Sequence, residues 1–79
     1  MRKLEEFSIE ELARIATAIE CDLDMNFAYT DLSVEDPWAQ DRIKTIAAID
    51  AHISEVTRFA NHVEAEYYFM QMREHLFWE

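Results

Sequence analysis

Apolar side chains recur along this chain at alternating steps of three and four, the spacing that lines one face of an α-helix. In the first half, Ile9, Leu12, Ala16, Ile19, Leu23 and Phe27 share such a face. The stretch Phe7-Ser8-Ile9-Glu10-Glu11-Leu12 supplies its beginning, with Ser8 as N-cap, Glu11 closing a capping box and Phe7 stapled onto Leu12. A helix from Ile9 to Ala28 is expected. Its back carries Ala18, Cys21, Met25 and Ala28, small and apolar enough to meet a second neighbour.

Thr30 to Asp36 is the expected connection. Asp36-Pro37 then starts a second helix, Asp36 capping and Pro37 at the first helical position, with Ser33 as an alternative cap that would start it three residues earlier. No strong backbone breaker follows between Trp38 and Glu79. Within that stretch Ile46, Ile49, Ile53, Val56, Ala60, Val63, Tyr67, Met70, Glu74 and Phe77 keep the three-and-four rhythm, and nine of the ten are apolar. Such a seam is coiled-coil-like. A helix of ~40 residues would span ~60 Å, twice the reach of a ~20-residue first helix. The resulting all-α hairpin would leave the distal seam uncovered, where Tyr67, Tyr68, Phe69, Phe77 and Trp78 concentrate. Exposed apolar surface of that kind marks an interface. The expectation is a single-domain helical hairpin that forms a homodimer by pairing into a four-helix bundle. A break in the long helix near Asn61 would instead give three helices in one chain.

Composition sharpens this picture in two ways. The chain has 79 residues and no glycine, which removes the phosphate-cradling loops and strained nucleophile turns that need positive φ. One cysteine, Cys21, leaves no partner for an internal disulfide and suits a reducing compartment. No apolar run approaches the ~18 residues of a membrane span, and the N-terminus lacks an apolar signal segment. The sequence therefore predicts a cytoplasmic protein.

Candidate chemistry is sparse. His52 has Glu55 one turn on and His62 has Glu66 at i+4, but Ile49, Phe59 and Met72 precede the three histidines by three residues, so the Glu-x-x-His motif of di-iron bundles is missing. Only His52 flanks the seam; His62 and His75 are expected at the edge or in solvent, and no metal is expected. Cys21 sits mid-helix among Glu20, Asp22 and Asp24, and is expected to be a packed or interface cysteine rather than a nucleophile. No catalytic residue or cofactor is expected, and the chain is expected not to be an enzyme.

Charge carries more information. The formal net charge is −10, with the seven basic residues scattered, so direct contact with nucleic acid is not expected. Between Glu20 and Asp41 lie seven acids (Glu20, Asp22, Asp24, Asp31, Glu35, Asp36 and Asp41) and no base. On a hairpin they gather at the turn. Carboxylates spaced along helices can imitate phosphates and occupy a basic groove, and their field would speed association in a salt-sensitive way. In size, acidity and lack of loop chemistry the chain resembles small phage-encoded inhibitors, among them anti-CRISPR and DNA-mimic anti-restriction proteins. That resemblance is one of general character, rests on no motif and transfers no residue. It implies a non-enzymatic inhibitor whose acidic tip meets a basic, nucleic-acid-binding protein. Two alternatives stand beside it. One is an antitoxin-like adaptor that binds through its C-terminal helix, by the seam residues Ile53, Val56, Ala60, Val63, Tyr67, Met70, Phe77 and Trp78. The other is a metal-binding helical bundle.

Overall fold

The computed structural model describes residues 3–77, with side chains through residue 73. Among these residues a single 3-10 turn (Leu4–Glu6) leads into three α-helices, α1 (Ile9–Tyr29), α2 (Pro37–Val56) and α3 (His62–Phe77), and there are no strands. The first helix begins as its sequence dictates. Ser8 Oγ accepts the Glu11 amide at 3.1 Å while Glu11 Oε1 accepts the Ser8 amide at 2.8 Å, so two of the helix's orphan donors are satisfied reciprocally. Phe7 packs against the core that contains Leu12. At α2, Asp36 Oδ1 accepts the Trp38 amide at 2.9 Å with Pro37 in the first turn, which decides between the two candidate caps. Ser33 instead shapes the preceding loop, its carbonyl accepting from Asp36 and its hydroxyl from Glu35.

The continuous ~40-residue helix does not form. Val56 ends α2 and His62 starts α3, so the three-helix arrangement replaces the hairpin. The reason lies in threonine. Thr57 leaves the helix in extended conformation; its Oγ1 donates to the Ile53 carbonyl at 2.6 Å and accepts the Phe59 amide at 3.0 Å. Thr30 ends α1 by the same device, donating to the Asn26 carbonyl at 2.6 Å and accepting the Leu32 amide at 3.2 Å. A side chain thus does what a left-handed glycine does in most helix stops. Two residues after Phe59, Asn61 caps the next helix: its Oδ1 accepts the Glu64 amide at 3.0 Å and Glu64 reaches back to the Ala60 amide at 2.9 Å. Replacing Asn61 by alanine is expected to cost about 1 kcal/mol, measured by urea denaturation. An unchanged midpoint would mean that the bend is held by packing alone.

Turning back at Thr57 changes what the seam covers. Leu12, Ala13 and Ala16 of α1 meet Ile49 and Ile53 of α2 and Ala65 of α3 in one buried cluster, ringed by Leu4, Phe7, Ile9, Phe59 and Phe69. Alanine at three of these six positions lets the helices approach closely, and the larger side chains each contribute ~1.5–3 kcal/mol of burial. Leu23 of α1 and Ala39 of α2 are buried outside that cluster. The rings of Phe59, Tyr68 and Phe69 close the turn, with centroids 5.3 Å apart for Phe59–Tyr68 and Tyr68–Phe69. Tyr68 and Phe69 are therefore spent inside one chain and are not part of an uncovered aromatic half. The long dimension is 46 Å, and no helix among the described residues is long and apolar enough to cross a membrane.

Candidate protein-binding surfaces

The acidic segment is divided by the fold. Asp36 is consumed as the α2 cap, and Asp41 is held by Arg42 at 2.8 Å, with the Arg42 guanidinium over the Trp38 ring at 4.9 Å. Glu20 leaves the tip altogether and faces the α3 start. Besides Asp41, which stays exposed beside the Arg42 guanidinium, four carboxylates are exposed at the α1–α2 end, those of Asp22, Asp24, Asp31 and Glu35. Among the described residues no cation lies within 4 Å of any of these four. The nearest polar support is Asn26, whose Nδ2 donates to the Asp22 carbonyl at 2.8 Å.

Charge counting alone missed what accompanies these acids. Tyr29 is 82% exposed and Met25 61%, both on α1, and Val34 in the loop is also exposed. Asp22, Met25, Asn26 and Tyr29 follow the i, i+3, i+4, i+7 spacing of a single helix stripe, and together with Thr30 they line a shallow hollow of about 220 Å3. Ala18, Cys21 and Ala28, on the back of α1, are exposed as well, so neither α2 nor α3 is the second neighbour expected for that face. An aromatic and a methionine thus stand exposed on one ridge with a single carboxylate, that of Asp22.

The predicted seam is split in the same way. Ile53 is fully buried inside the chain, so it cannot be an interface residue. Val56, Ala60, Val63, Tyr67 and Met70 are exposed; the Phe77 side chain and Trp78 lie outside the described residues. Val63, Tyr67 and Met70 face α1 across a groove of about 250 Å3, whose other lining residues are Thr17, Glu20 and Glu66. Tyr67, at 63% exposure, is its most accessible large side chain.

Between the two surfaces sits the residue that the sequence placed wrongly. His62 is not at the solvent edge; it is 3% exposed and is the buried polar side chain of the core. Asp50 Oδ1 accepts both the His62 amide at 2.8 Å and its ring Nδ1 at 2.7 Å, tying the first residue of α3 to α2. A carboxylate oxygen only accepts, so Nδ1 carries the proton. Nε2 lies 3.3 Å from Glu20 Oε2 but off hydrogen-bond geometry, so among the described residues this buried nitrogen makes no hydrogen bond. The i+4 partner Glu66 turns elsewhere, its Oε1 3.7 Å from Arg73 and its Oε2 buried without a hydrogen-bond partner among the described residues. Among the described residues no group of three or more His, Cys, Asp or Glu side chains is placed to hold a metal. His52 is half-buried and Glu55 exposed, without a third ligand. Comparison with protein-family models, with curated proteins and with solved structures finds no match for this chain.

Proposed function

We propose that this chain is a non-enzymatic inhibitor that sets its acidic α1–α2 end against a basic surface of a nucleic-acid-binding protein, in the place nucleic acid would occupy. The observation that carries this reading is the set Asp22, Asp24, Asp31 and Glu35, four exposed carboxylates with no cation within 4 Å among the described residues, at the same end of the fold as the exposed Met25, Tyr29 and Val34. Charge at the edge of such a surface steers encounter, and the apolar centre slows dissociation. Reversing all four to lysine is the direct test, with proteins captured from a lysate identified by mass. Asp36 is left intact, because reversing it would uncap α2. Recovery of a basic partner is expected to fall on the order of 10- to 100-fold. Equal recovery by the reversed chain would defeat the proposal.

The exposed α3 residues favour a second reading, an adaptor that binds through Val63, Tyr67 and Met70. It predicts capture that resists salt and is lost on Tyr67→Ala. Pairing with a second copy was inferred from a seam that the fold has now half-covered. Two chains of net charge −10 also repel. The remaining seam is therefore assigned here to a different protein, and sedimentation as a monomer is the corresponding expectation.

A further inference from the structure

The groove between α1 and α3 has apolar walls and acidic fittings. Val63, Tyr67 and Met70 stand exposed along it, and Glu20 and Glu66 contribute carboxylates from the two facing helices. Glu66 is already held from one side by a guanidinium, since Arg73 Nη2 approaches Oε1 at 3.7 Å while Nη1 approaches Glu10 at 3.5 Å. Its other oxygen, Oε2, is buried with no hydrogen-bond partner among the described residues. A buried acceptor left unmade is costly, which favours Glu66 turning outward to meet a donor that arrives in the groove.

We infer that this groove receives an arginine side chain from a protein partner. The aliphatic stem lies along Val63, Tyr67 and Met70, and the guanidinium reaches Glu66 and Glu20. Arginine fits better than lysine, because a planar fork with five donors can serve carboxylates on two helices at once and stack on an exposed tyrosine. It also fits better than a second copy of the chain, which would bring more negative charge onto Glu20 and Glu66. The site is separate from the acidic end, so it stands whether or not that end binds nucleic-acid-handling proteins.

The test is a titration of the isotopically labelled full chain with N-acetyl-arginine amide, followed by NMR, with N-acetyl-leucine amide as the control. Saturable shifts are expected at Thr17, Val63, Tyr67 and Met70, with a Kd of about a millimolar for a ligand of this size. The leucine compound should bind roughly tenfold more weakly. Met70→Lys, at an exposed position, places an ammonium group in the groove and should abolish the shifts while signals from α2 stay unmoved. The inference is overturned if the arginine shifts fall only on the acidic end, if leucine amide binds equally, or if Met70→Lys leaves them unchanged. It is overturned equally if the chain self-associates in sedimentation and Met70→Lys abolishes that association.

Discussion

Ile53→Ala is expected to lower folding stability by about 2–5 kcal/mol, independent of protein concentration. Ile53 is fully buried and packs with Leu12, Ala13, Ala16, Ile49 and Ala65, residues drawn from all three helices. Removing three carbons there leaves a cavity bounded by helix backbones that alanines already hold close, so little collapse is available to refill it. Tyr67→Ala, on the same periodic seam but exposed, is expected to change stability by less than about 0.5 kcal/mol. The contrast separates two architectures. If Ile53 belonged to an interface between copies, its loss would be concentration-dependent, and Tyr67→Ala would share it. Urea denaturation at two protein concentrations well apart decides between them.

His62→Ala is expected to cost roughly 2–3 kcal/mol, from lost packing together with a buried hydrogen bond to Asp50. Three helices converge on this ring: it begins α3, binds Asp50 of α2 at 2.7 Å and faces Glu20 of α1 at 3.3 Å. The replacement chosen reveals which contact matters. Asparagine can place an amide donor where Nδ1 lies and should recover about half of the loss, whereas glutamine, with its donor near the Nε2 position, should recover less. The reverse order would mean that the Glu20 side holds the junction. Asp50→Ala should be less than additive with His62→Ala, since both remove the ring bond, although Asp50→Ala also removes the bond to the His62 amide.

What could be read from the sequence was local. Ser8 with Glu11, and Asp36 with Pro37, mark helix starts through side chains that bond amides three or fewer residues away, so their spacing suffices. The break near Asn61 was legible only as an alternative to a continuous helix, because it uses neither glycine nor proline. Yet Thr57-Arg58-Phe59 repeats the Thr30-Asp31-Leu32 pattern, and Asn61 followed by Glu64 is itself a helix-start signal. Those two signals together would have placed the turn. The burial of His62 was not legible by any local rule, because it depends on α3 folding back until position 62 meets position 50. The acidic end was legible as a count of charges but not as a surface: whether a carboxylate caps, pairs or stays exposed is decided by what the fold brings beside it. Asp36 and Asp41 were lost to such local uses, while Met25 and Tyr29 emerged beside the four that remained.

The central claim is that the acidic end takes the place of nucleic acid on its partner. The most direct test is competition: the captured partner is loaded with a fluorescent oligonucleotide and titrated with the chain while anisotropy is followed. Complete displacement is expected, with an apparent affinity that weakens as salt rises, and no displacement by the chain reversed at Asp22, Asp24, Asp31 and Glu35. A stable ternary complex, in which chain and oligonucleotide stay bound together, would contradict it.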